Sequence, residues 1–114
     1  MPAPTEYPIF DHWYKTCDWI LQACDRMPKQ TRFTVSGRIA NLALDITALL
    51  TEAIYSKVRI PLLQRVNLLL EQLRILLRLS KDRRYISLAQ YEYITDALYQ
   101  CGKMAGGWLK TLSA

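Results

Sequence analysis

Arg74, Arg78 and Lys81 stand at i, i+4 and i+7, a spacing that sets three cations on one side of a helix. Asn67 falls on the same flank, and the run Lys81-Asp82-Arg83-Arg84 carries the charge past the point where such a helix should stop. Cations gathered in this way suit phosphate contact, and arginine adds a planar fork that can hold one phosphate through two hydrogen bonds. A solvated helix face would carry the same residues, so the local pattern by itself fits both. None of these side chains is expected to be needed for the core, because neighbouring leucines already complete an apolar stripe.

The charge distribution along the chain favours contact with an acidic partner. The 114 residues have a formal net charge of +5. Residues 57–84 hold eight basic and two acidic side chains, a net of +6, whereas residues 1–27 hold two basic and four acidic ones, a net of −2. One quarter of the chain thus exceeds the charge of the whole. Nucleic acid is the commonest partner for such a segment.

Little else in the sequence can do chemistry. His12 is the single histidine, so no Ser-His-Asp arrangement has a choice of base, and there is no HExxH motif. The carboxylates are dispersed over helix surfaces. Gly106-Gly107-Trp108 lies within a helical pattern and follows no strand, which a phosphate loop would require. Cys17, Cys24 and Cys101 form no CxxC pair, and His12 has no companion ligand. The expectation is a chain that is not an enzyme, holds no cofactor and no metal, and keeps its three cysteines reduced in the core. The acidic N-terminal region lacks a basic stretch followed by an apolar run, and Leu62–Leu79 is interrupted by Gln64, Arg65, Glu71, Arg74 and Arg78. No signal peptide or membrane span is expected, and the cytoplasm is the expected compartment.

The elements that must carry the cations can be read from apolar periodicity. With 51% hydrophobic residues the chain can bury a core as one domain. Residues 1–8 hold three prolines and read as an N-terminal arm, leaving residues 9–114 for the fold. A first helix is expected from about Phe10 to Met27, with Trp13, Cys17, Ile20, Leu21, Cys24 and Met27 on one stripe and Pro28 ending it. Lys29 to Phe33 connects, and Thr34 can cap a second helix running to about Tyr55, with Val35, Ile39, Leu42, Ala43, Ile46, Leu49, Leu50 and Ala53 inward. Pro61 suits the first turn of a third helix, whose inward residues are Leu62, Leu63, Val66, Leu69, Leu70, Leu73, Leu76 and Leu77. Ser87 with Gln90 gives a capping box for a fourth, burying Tyr91, Ile94, Leu98, Cys101, Ala105, Trp108, Leu109 and Leu112. Short connections between four helices favour an all-α, antiparallel up-down bundle.

Two faces exceed what a monomer needs. Opposite its core stripe the second helix carries Gly37, Ala40, Leu44, Ala48, Thr51 and Tyr55, small and mostly apolar, with Arg38, Asp45 and Glu52 on one narrow line. The third helix has a second apolar stripe in Leu68, Ile75 and Leu79. Ala40, Leu44, Ala48, Tyr55, Leu68, Ile75 and Leu79 are therefore the expected self-association surface.

The stretch Met27-Pro28-Lys29-Gln30-Thr31-Arg32-Phe33-Thr34-Val35-Ser36-Gly37-Arg38-Ile39, with Ala43-Leu44-Asp45, Pro61-Leu62-Leu63, Glu71-Gln72-Leu73-Arg74, Leu76-Leu77-Arg78-Leu79 and Gly102-Lys103-Met104-Ala105-Gly106-Gly107-Trp108, resembles the accessory variability determinant proteins. These small four-helix bundles are encoded beside diversity-generating retroelements. The chain is also similar to a sister family encoded in rRNA intervening sequences, which would make it an oligomeric nucleic-acid-binding or adaptor protein without a polymerase partner. The first resemblance implies a ring-shaped homopentamer with a basic surface. It further implies binding to the retroelement's reverse transcriptase and to its template RNA or cDNA, in support of mutagenic retrohoming whose chemistry belongs to the polymerase. Arg32, Arg38, Arg74 and Arg78 fall in the matching stretches; with Lys81, Arg83 and Arg84 they are the expected nucleic-acid or polymerase contacts.

Overall fold

The computed structural model describes residues 7–113. The chain folds as α1 (Pro8–Arg26), a 3-10 helix (Lys29–Phe33), α2 (Val35–Tyr55), α3 (Ile60–Asp82) and α4 (Leu88–Ser113), with no strand among the described residues. It is an all-α four-helix bundle.

Contacts between neighbouring helices ascend in one partner as they descend in the other. Trp13 of α1 meets Thr47 of α2 and Cys17 meets Ala43. Arg74 of α3 meets Leu98 of α4 and Lys81 meets Tyr91. Tyr7 meets Trp108, His12 meets Ala97 and Trp19 meets Tyr93 where α4 returns beside α1. The 3-10 helix and the turn after α3 therefore lie at the same end of the bundle, opposite the Ser56–Arg59 connection.

Proline and capping chemistry set the helix ends. α1 begins at Pro8, two residues before the expected start, because the fixed φ of proline suits a first helical position and Ile9 is then buried. Of the expected arm, residues 1–6 lie outside the described residues, and Tyr7 packs against the Trp108 ring with centroids 5.5 Å apart. Pro28 follows the end of α1, and Pro61 sits in the first turn of α3. The capping box of α4 is reciprocal: the Ser87 amide donates to Gln90 Oε1 at 2.8 Å, and the Gln90 amide donates to Ser87 Oγ at 3.1 Å. Thr34 occupies the N-cap position of α2 but makes no side-chain capping bond. The chain enters α2 directly from the 3-10 helix, with φ −132° and ψ −102° at Thr34 rather than the extended backbone of a capping residue.

The core follows the expected stripes. Trp13, Ile20, Ile39, Ile46, Leu50, Leu63, Leu70, Leu73, Leu77, Ile94 and Leu98 are fully buried. Leu49, Leu62, Leu76, Tyr91, Trp108, Leu109 and Leu112 are only partly covered and line the seams between helices. Ile54, Ile86 and Ser80 are buried without having stood on an expected stripe. The indole of Trp13 donates to Thr47 Oγ1 at 3.0 Å, and that hydroxyl lies 3.0 Å from the Ala43 carbonyl, so the largest core side chain also satisfies its polar atom. No helix among the described residues is long and apolar enough to cross a membrane.

Candidate nucleic-acid interface

The seven candidate cations occupy three different settings. Arg74 is the most constrained. Its guanidinium donates to Glu71 Oε2 at 2.8 Å and reaches across to the Leu98 carbonyl on α4 at 3.4 Å. A side chain on Gly102 would stand 3.2 Å from the same guanidinium, so the glycine leaves the room that Arg74 fills. Its side chain is 31% exposed. Arg74, expected as a surface contact not needed for the core, is half-buried and also reaches from α3 to the α4 backbone. Periodicity placed it on one flank of α3 with Arg78; Arg74 stands where that flank meets α4, whereas Arg78 is exposed.

Lys81 is intermediate. Its ammonium lies 4.7 Å from the centroid of Tyr91 on α4 and 3.3 Å from Asp82 Oδ1. Arg78, one turn earlier, is exposed and makes no ion pair or side-chain hydrogen bond among the described residues.

The turn after α3 presents Arg83 and Arg84 to solvent. Arg83 donates through Nε to Tyr85 Oη at 2.7 Å. The Arg84 amide bonds to the Lys81 carbonyl and the Tyr85 amide to the Ser80 carbonyl, which closes the helix with Arg84 at φ 63°. This is the left-handed helix end usually given to glycine. Arginine there accepts backbone strain of roughly 1–2 kcal/mol.

Arg32 and Arg38 stand apart from these, on the groove between α2 and α3. Both are exposed and without ion-pair partners among the described residues. The groove has a volume of about 710 Å³ and includes Phe33, Asn41, Gln72 and Ile75 in its lining. All seven cations lie in the half of the bundle that contains the 3-10 helix, but only Arg32, Arg38, Arg78, Arg83 and Arg84 are exposed.

The apolar faces are likewise separated. Leu44 is 50% exposed, and Tyr55, Leu68, Ile75 and Leu79 are also exposed. Thr47 turns toward Trp13 of α1. At about 100° per residue, Leu44 and Ala48 then lie on the α1 side of the Arg38-Asp45-Glu52 line, whereas Leu68, Ile75 and Leu79 lie beyond it on α3. The surface is two strips divided by charge, not one continuous patch. Ala40 is half-buried at the edge of the first strip.

Two of the three thiols are shifted by their surroundings. Burial pushes the Cys101 thiol up to about 12, against the opposing pull of Arg74. Burial, then Asp25 and Cys17, raise Cys24 to about 11. Both are protonated at neutral pH. Cys24 is partly exposed rather than a core residue. No cluster of His, Cys, Asp and Glu among the described residues could hold a metal ion.

A family model described as bAvd-like matches residues 9–112. The chain belongs to the bAvd-like family. That family comprises the accessory variability determinants of diversity-generating retroelements. No curated protein and no solved structure matches the chain. For this bAvd-like chain the match spans the bundle except Pro8 and Ser113 at its two ends, and it includes every candidate cation. What periodicity did not disclose was Phe33, exposed beside Arg32 and Arg38; its only sequence signal is an aromatic residue between two cations in a connection.

Proposed function

We propose that this bAvd-like chain is the non-catalytic accessory subunit that binds the reverse transcriptase of a diversity-generating retroelement together with its template RNA or cDNA. The family match over residues 9–112 carries this reading. The exposed cations Arg32, Arg38, Arg78, Arg83 and Arg84 support the nucleic-acid part, because a cation without an ion-pair partner is free to neutralise phosphate. Lys81 and Arg74 add charge behind them while holding α4.

Self-association is part of the same proposal. A ring is built from heterologous contacts, in which two different patches of one subunit meet those of its neighbours. The α2 strip of Leu44, Ala48, Ala40 and Tyr55 and the α3 strip of Leu68, Ile75 and Leu79 supply two patches. Five copies is the number favoured by the family likeness. The work of such a ring belongs in the cytoplasm, beside the polymerase.

The test is co-expression with the reverse transcriptase of a diversity-generating retroelement from the same genome, followed by affinity capture and native mass measurement. A complex containing the polymerase, several copies of this chain and RNA is expected. Recovery of this chain free of polymerase would overturn the assignment and favour the rRNA intervening-sequence type.

A further inference from the structure

We propose that the groove between α2 and α3 is a base-stacking subsite for single-stranded nucleic acid, with Phe33 as the platform and Arg32 and Arg38 as the flanking phosphate contacts. This rests on the nucleic-acid-binding reading above and adds to it where, and by what chemistry, an unpaired base is held.

Phe33 is 89% exposed and pairs with no other ring among the described residues. A phenylalanine in that state forgoes nearly all the stabilisation that burial would give it. It is nonetheless firmly placed. It ends the 3-10 helix, in which the buried Thr31 hydroxyl donates to the Pro28 carbonyl at 2.6 Å and lies 2.9 Å from Ser36 Oγ of α2. The Arg32 carbonyl packs onto the first turn of α2 at Gly37, where any side chain would collide with it. The aromatic ring is therefore presented by a fixed backbone at the mouth of the groove.

The chemistry of the groove selects the occupant. Among the described residues its lining contains two arginines and no carboxylate, and neither arginine has an ion-pair partner. Val35, Leu42 and Leu76 supply apolar surface, while Asn41 and Gln72 supply amides that can both donate and accept hydrogen bonds. An aromatic face, uncompensated guanidinium groups and edge-reading amides match a base and its phosphates. A duplex hides its base faces, so the occupant is single-stranded. The volume of about 710 Å³ falls within the roughly 300–1,000 Å³ of sites that enclose small ligands.

The experiment compares wild type, Phe33→Ala and Phe33→Trp by fluorescence anisotropy. The probes are a labelled oligoadenylate of about 12 nucleotides, in the site-size range of single-strand binders, and an abasic phosphodiester of equal length. Phe33→Ala should weaken oligoadenylate binding about tenfold or more, the scale of one lost base stack, with the salt dependence unchanged because no phosphate contact is removed. Phe33→Trp should bind at least as well as wild type, and wild type should hold the abasic strand no better than Phe33→Ala holds oligoadenylate. If wild type binds neither strand, the nucleic-acid reading fails and this inference with it. If wild type binds but Phe33→Ala binds equally well, the inference alone fails. A Phe33→Ala chain whose mass by light scattering is smaller than wild type would instead make Phe33 a contact between copies, and would also overturn it.

Discussion

The main-chain carbonyl of Arg32 occupies the space in which any side chain at position 37 would have to stand, so Gly37 is what allows the 3-10 helix to lie against α2. On helix propensity alone, Gly37→Ala in α2 should stabilise by about 1 kcal/mol. The collision with backbone reverses that sign, and a net loss of roughly 1–3 kcal/mol is expected, the usual range for overpacking. Urea denaturation followed by circular dichroism checks it. A more stable Gly37→Ala variant would show that the 3-10 helix can move aside without cost.

Arg74→Ala and Arg78→Ala should separate stability from binding. Arg74 holds the Leu98 carbonyl of α4 at 3.4 Å and fills the space beside Gly102. Its loss should cost about 1 kcal/mol, the net worth of a typical hydrogen bond. The exposed Glu71 pair adds little to this. Arg78 is exposed and makes no ion pair or side-chain hydrogen bond among the described residues, and Arg78→Ala should change stability by less than roughly 0.5 kcal/mol while weakening binding to template RNA. Equal denaturation midpoints for the two variants would contradict the assignment of Arg74 as a fastening between helices.

Much of this fold was legible because it rests on short-range rules. Pro28, Pro61 and the Ser87–Gln90 box mark helix ends by local chemistry, and the structure keeps all three. The apolar stripes gave the inward direction of each helix. Periodicity fixes a side chain's angle but not what stands opposite it. Arg74 thus looked like Arg78 in sequence, though only one of them meets α4. The 3-10 helix and the exposure of Phe33 were illegible for a related reason: both depend on Thr31 and Gly37 meeting neighbours that no spacing rule names.

Arg84→Gly should stabilise the chain and weaken its binding. Arg84 holds φ 63° at the end of α3. Glycine reaches that conformation without the Cβ penalty, so a gain of up to about 1 kcal/mol is expected. The same change removes a cation from the exposed cluster. Thermal unfolding and RNA anisotropy on one preparation would test both halves. A variant no more stable than wild type would mean that arginine is not strained there.

Stability should decline above about pH 9 in a way that depends on Cys101. The native thiol is raised from 9.0 to about 12 by burial, while an unfolded chain releases that proton near 9.0. The stabilisation is fully present below the unfolded value and is lost progressively as pH rises toward the folded one. Denaturation midpoints at pH 8 to pH 11 should fall less steeply for Cys101→Ala than for wild type. Parallel curves would show that the buried thiol does not contribute.

Leu44→Glu should divide the proposed oligomer and leave the helices intact. Leu44 is 50% exposed in the single chain, and a carboxylate there would be buried without a partner in a packed interface. Light scattering should report a smaller particle with unchanged helical circular dichroism. Wild type with the mass of one chain would remove self-association from the proposed function.

The proposed role as a nucleic-acid platform is tested most directly by the salt dependence of template-RNA affinity, in wild type and in the triple variant Arg32→Gln, Arg38→Gln, Arg78→Gln. Wild-type affinity should fall linearly on logarithmic axes as salt rises, because each phosphate neutralised releases counterions, about 0.7–0.9 in slope per contact. The triple variant should bind at least about tenfold more weakly and show a slope shallower by roughly 2–3. Wild-type affinity indifferent to salt, or a triple variant that tracks wild type across the series, would contradict it.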